Sequence, residues 1–146
     1  MKNPASVLLD GARSGIYSAP AASAGLEQSA RENGFAWFEL DLSGVAAKTA
    51  LLVRCQTVFA LPSAFGHNWD ALADSLEDLS WHPARGYLVL VTNGGEVALN
   101  SPQDLAAALE IFAAAARYWM TKGRLFMVLL DAQTRGGRTL KSLSLE

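Results

Sequence analysis

The sequence predicts an α/β protein built on a small parallel sheet of three or four strands packed with helices. Two observations carry this. Gly86-Tyr87-Leu88-Val89-Leu90-Val91 and Leu125-Phe126-Met127-Val128-Leu129-Leu130 are short and almost continuously apolar, as strands covered on both faces must be. The segments between the apolar runs repeat their large residues at helical spacing, and strands that alternate with helices need crossover connections.

Phe35-Ala36-Trp37-Phe38-Glu39-Leu40 is a third predicted strand. A helix is expected over Thr49 to Phe59, with Leu51, Leu52, Cys55, Val58 and Phe59 on one broad face and Leu61-Pro62 as its stop. Asn68 to Leu79 forms the next, through Trp69, Leu72, Leu76 and Leu79. A long helix starts at Ser101-Pro102, with Ser101 and Asp104 as cap and first turn. It places Leu105, Leu109, Phe112 and Ala116 inward and ends near Lys122-Gly123. Trp81-His82-Pro83 reads as a turn, with Trp81 partly covering the core.

Residues 1–34 form an N-terminal extension, with a strand at Gly15 to Ser18 and a helix from Pro20 to Asn33 ended by Asn33-Gly34. The extension either adds that helix and an edge strand to the sheet or forms a separate contact arm. The main domain is expected over residues 35–131. Gln133 to Glu146 has a Gly136-Gly137 pair and few large apolar residues, so residues 132–146 are expected to be a mobile tail.

A chain of 146 residues, 51% hydrophobic and 18% charged, can bury one substantial core. No apolar stretch approaches the roughly 20 residues that span a bilayer, so no membrane role is expected. Asp10 and Arg13 interrupt the N-terminus before a secretory signal could develop. Cys55 is the single cysteine, which excludes an internal disulfide and reads as a buried core thiol. Together these predict a cytoplasmic protein.

Charge is unevenly placed along the chain. Between Arg54 and Arg85 there is no Lys or Arg, yet Asp70, Asp74, Glu77 and Asp78 fall there; from Arg117 to Glu146, six basic residues face only Asp131 and Glu146. The acidic stretch repels phosphate backbones, so direct nucleic-acid binding is not expected, whereas a basic protein would be attracted.

On a helical wheel with Asp70 at zero, Asp74 falls at about 40° and Glu77 at about −20°, while Leu79, Leu72 and Leu76 lie at about 180°, 200° and 240°. The leucines therefore face the core and the carboxylates face water. Like charges four residues apart cost a helix a few tenths of a kcal/mol, and no cation interleaves here. The helix dipole favours Asp70 in the first turn but not the acids further along. A solvated charged face is the plain reading. Single-sign charge beside an exposed loop favours a binding surface instead.

That loop is Leu61-Pro62-Ser63-Ala64-Phe65-Gly66-His67-Asn68, in which Gly66 permits a turn that Asn68 closes as an N-cap. Together with Trp69-Asp70-Ala71-Leu72-Ala73-Asp74-Ser75-Leu76, it closely resembles the signature of the barstar family of intracellular ribonuclease inhibitors, L-P-x-x-[FY]-G-x-N-x-D-A-L-x-D-x-L. The resemblance extends from about Phe35 to Leu130, with the elements in the same order. It implies a barstar-like fold and an antitoxin-like inhibitor in which the loop and acidic helix plug the active site of a basic ribonuclease.

By position, Asp70 and Asp74 match the two aspartates that meet the nuclease's basic residues, Asp74 being the deeper phosphate mimic. Phe65, Gly66, Asn68, Trp69, Ala73 and Glu77 complete the expected partner-binding surface. Ala64, Ala73 and Ala114 stand where the best-known member has a tyrosine, a tryptophan and a glutamate. Three contact side chains are thus truncated, which implies a partner other than barnase or a different seating of it. Trp69, at about 260° on the wheel, either packs in the core or replaces the missing aromatic area. His67 is a contact residue at most, because a lone loop histidine has no second ligand or nucleophile beside it.

Two other functions fit less of the sequence. The fold could serve a basic partner that is not a ribonuclease. Alternatively, Asp70 and Asp74 could hold Mg²⁺ in a hydrolase, but no third ligand, Gly-rich phosphate loop or nucleophile and base pattern accompanies them. No cofactor, metal site or catalytic residue is expected.

Overall fold

The computed structural model describes residues 13–20, 24–62 and 66–141. Its frame is a four-stranded, fully parallel sheet: β1 (Gly15–Ser18), β2 (Ala36–Asp41), β3 (Gly86–Thr92) and β4 (Leu125–Leu130), in the spatial order β1-β4-β3-β2. Six helices occur among the described residues: α1 (Ala24–Glu32), α2 (Lys48–Val58), α3 (Trp69–Leu76), α4 (Gly95–Asn100), α5 (Pro102–Thr121) and α6 (Ala132–Arg135).

β3 and β4 lie at the centre, where both faces are covered, and this is why their sequences are apolar at successive positions. In-register residues build two cores from one sheet. Phe38, Val89 and Val128 stand on the face packed by α2, α3 and α5; Trp37, Leu88 and Met127 stand on the other, against Leu26 and Ala30 of α1. The larger core buries Leu51, Leu52 and Cys55 of α2 and Leu72 and Leu76 of α3 together with Phe59 and Phe112. Burial pushes the Cys55 thiol up to about 12, as expected of an inert core group.

The extension before residue 35 is woven into this sheet. β1 is its edge strand, paired with β4, and Gly34 (φ +80°) ends α1 as the Asn33-Gly34 signal predicts. Residues 1–12 and 21–23 lie outside the described residues, and so does part of the helix expected from Pro20.

Beyond β4, where a mobile tail is expected, the described residues make contacts with the rest of the domain as far as Lys141. Asp131 caps α6 by accepting from the Thr134 N–H at 2.8 Å, and Thr134 is fully buried with its hydroxyl accepting from Gly94 N–H at 3.0 Å. A Cβ at position 94 would come within 2.8 Å of that hydroxyl, so the closeness requires glycine. Lys141 accepts a hydrogen bond from Ser18 N–H at 2.9 Å, and Leu140 packs against the core. Residues 142–146 lie outside the described residues.

A correction concerns the start of α5. Ser101 is at the expected cap position, with Pro102 in the first turn, but its hydroxyl caps no main-chain N–H. It donates to Asp104 Oδ2 at 2.5 Å, and the same carboxylate oxygen accepts from Lys48 N–H at 3.1 Å. Asp104 therefore caps α2, whose own N-cap residue, Ala47, has no side chain able to do so.

Candidate functional site

α3 crosses the outside of the larger core with Leu72 and Leu76 fully buried and Leu79 just beyond its end almost so. The opposite face carries Asp70 and Asp74, both exposed, and the half-buried Glu77 at the C-cap. Among the described residues, none of these three carboxylates makes a hydrogen bond or an ion pair. Asp78 accepts only from Ser80, at 3.2 Å. Both ion pairs found among the described residues lie elsewhere, Arg31 with Glu27 and Arg117 with Glu110.

Both ends of α3 are fixed. Asn68 caps it, its Oδ1 accepting from Ala71 N–H at 2.8 Å, as the sequence predicts. At the far end the buried Trp119 of α5 donates its indole N–H to Leu76 O at 2.8 Å. The carboxylates thus project from a rigid support, and ordering them on contact with a partner costs less than ordering a loop would.

The approach to α3 departs from expectation in one detail. Gly66 is exposed and does not take the left-handed conformation; that falls to His67 (φ +51°), whose Nε2 lies 2.6 Å from Gln56 Oε1. Gly66 supplies room instead, since a Cβ there would meet Asn68 Nδ2 at 3.0 Å. Phe65 and Ala64 fall outside the described residues. Ala73 is half-buried on α3 and Ala114 half-buried on α5, both with side chains too short to reach far from their helices.

Trp69 divides its surface between core and solvent. It is half-buried and packed against the larger core, and the Lys48 ammonium sits 5.8 Å from its ring centroid. Lys48 was not a sequence candidate. A readable signal did exist: it is a cation in a helix first turn that contains no acid, where the dipole disfavours positive charge. Trp81, read as a partial cover, is half-buried and donates its indole N–H to Phe59 O at 3.1 Å, which ties down the far side of the loop.

Among the described residues no three His, Cys, Asp or Glu side chains are grouped as metal ligands, and no helix is long and apolar enough to cross a membrane. What the arrangement offers chemically is a fixed row of unneutralised carboxylates.

The family model described as Barstar (barnase inhibitor) matches residues 35–131, two-thirds of the chain. The chain belongs to the Barstar family. No curated protein matches it. The family match begins one residue before β2 and ends one residue after β4, so β1 and α1 lie before it while contributing to the same sheet and to its second core.

Proposed function

We propose that this chain is a barstar-type inhibitor that binds a basic ribonuclease and blocks its active site with α3 and the loop before it. One observation carries the reading: Asp70 and Asp74 project into solvent without an internal partner from a helix whose other face is sealed in the core and whose two ends are pinned. A surface of this kind attracts cations arranged to hold phosphate, and it does so at long range. Asp74 is the central contact, Asp70 and Glu77 extend it, and Phe65, Gly66, Asn68, Trp69 and Ala73 supply the surrounding surface. Consistent with its lone buried thiol, we place the inhibitor in the cytoplasm.

The short side chains at Ala73 and Ala114 flatten the face beside the acids. They favour a partner whose surface differs from that of barnase, and a basic partner other than a ribonuclease would use the same carboxylates.

The test is to immobilise the full chain, expose it to extract from its native cell and assay the high-salt eluate for ribonuclease activity. The expected result is activity that free inhibitor suppresses and that Asp74→Ala fails to retain. An eluate without ribonuclease activity, or equal retention by Asp74→Ala, overturns the proposal.

A further inference from the structure

A groove opens between β1, α5 and the segment that follows α6. Ile16 of β1, Leu130 of β4, Leu109 and Ala113 of α5 and Leu140 line it around a volume of about 250 Å³. Its walls are fixed before any ligand arrives. Leu109 and Leu130 are buried in the fold, and the segment that carries Leu140 is held beside β1 by the hydrogen bond from Ser18 N–H to Lys141 O at 2.9 Å. Ile16, Arg138 and Leu140 lie outside residues 35–131, so the groove is completed by what this chain adds to the family-matched domain.

The charged residues that line the groove are Glu110 and Arg138. Glu110 is answered by Arg117 at 3.3 Å. Arg138 is half-buried, and among the described residues its side chain donates no hydrogen bond and enters no ion pair. A guanidinium stays charged and presents a planar fork of N–H donors that fits a carboxylate with two parallel bonds. Held beside apolar walls without an internal acceptor, it complements an anion whose other end is apolar. No other side chain lining the groove can donate a hydrogen bond, which suits a single carboxylate better than a phosphate or a polyanion.

We infer that this groove binds an aliphatic monocarboxylate, its chain against Ile16, Leu109, Leu130 and Leu140 and its carboxylate on the Arg138 guanidinium. The volume sets the length. An apolar cavity of about 150 Å³ takes benzene, so about 250 Å³ takes a chain of roughly six to eight carbons. None of these residues belongs to α3 or its loop, so the site is independent of the proposed inhibitory surface.

Titration of the full chain with butanoate, hexanoate, octanoate, decanoate and dodecanoate, followed by amide chemical shifts, tests this. Affinity should rise about three- to fourfold for each methylene up to octanoate and then level off, with the shifts centred on Ile16, Leu109, Arg138 and Leu140. Octanol, which has the chain without the charge, should bind roughly tenfold more weakly than octanoate. Arg138→Gln should lower octanoate affinity to the level of octanol and leave octanol unaffected, while Ala113→Phe, which fills the groove, should abolish binding of both. Arg138→Gln removes a group without an internal partner, so it decides the matter even if Ala113→Phe fails to fold. Absence of saturable binding, octanoate bound no more tightly than octanol, unchanged affinity in Arg138→Gln, or affinity that keeps climbing through dodecanoate overturns the inference. So does binding that appears only in Leu143→Ser/Leu145→Ser, which would make the chain's own residues the occupant. None of these outcomes touches the inhibitor proposal, which is judged by nuclease retention.

Discussion

Aspartates occupy two regions of this protein and are used in opposite ways. At the carboxyl ends of the strands they are consumed by the fold. Asp41 accepts at one oxygen from Ser43 Oγ, Asn93 Nδ2 and Ser43 N–H, at 2.5, 2.9 and 3.0 Å, and Asp131 accepts from the Asn93 and Thr134 N–H groups at 2.9 and 2.8 Å. On α3, Asp70 and Asp74 accept nothing from their own chain among the described residues. The first set holds loops that the strands leave open. The second set carries a small local cost and has no internal partner, which is what the proposed function asks of charge kept for another molecule.

The sharpest way to break this contrast is to truncate one member of each set. Asp131→Ala leaves two main-chain N–H groups without their acceptor, and we expect a loss of about 2 kcal/mol in stability, read from denaturant midpoints. An unchanged midpoint would erase the distinction between the two sets. Asp74→Ala should instead weaken retention of the ribonuclease partner by at least tenfold, about 1.4 kcal/mol, and by more than Asp70→Ala does. Equilibrium titration with the recovered partner checks the order, and raised salt should slow association while leaving dissociation nearly constant.

Asp104 sharpens the comparison within the structural set. Asp104→Ala removes the cap of α2 and the acceptor of Ser101 Oγ, with an expected loss of about 1 kcal/mol. Asp41 gives a pH signature. Hydrogen bonds from the Ser43 hydroxyl, Asn93 and the Ser43 N–H hold its carboxyl at about 2, below the ordinary 3.8. Its folded value is depressed, so its contribution is fully present above the ordinary value and is lost as pH falls through the interval toward 2. Asp41→Asn should flatten the acid limb of the stability curve over that interval. An identical acid limb in the variant would show that the hydrogen bonds in this cluster do not discriminate between protonation states.

How far the sequence reveals these roles depends on the range of the interaction. The acidic face of α3 is legible because a period of 3.6 residues fixes Asp70 and Asp74 relative to Leu72 and Leu76 within one turn. The strands at 86–91 and 125–130 are legible because burial on both faces removes polar residues altogether. α4 is not, since it starts at Gly95 and buries one large apolar residue, Val97, too little for a periodic signal. α6 spans four residues, and its only cue is the Asp131 cap with Thr134 three positions on. What the sequence hides is the pairing of distant positions: Lys48 over Trp69, Asp104 on the Lys48 N–H, and Trp119 on Leu76 O. Nothing local to either member of such a pair names the other.

The smallest expected effect is the most demanding check of the contrast. Asp70→Ala and Asp74→Ala should each leave stability within about 0.5 kcal/mol of the parent, because the truncated carboxylates have no internal partner and alanine is a good helix former. At low salt the change should lean toward stabilisation, since each substitution relieves repulsion within the row, and it should shrink as salt screens that repulsion. Asp70 lies in the first turn, where its charge also benefits from the helix dipole, so its gain should be smaller than that of Asp74. A loss of stability at Asp74 comparable to that at Asp131 would mean that this carboxylate serves the fold after all.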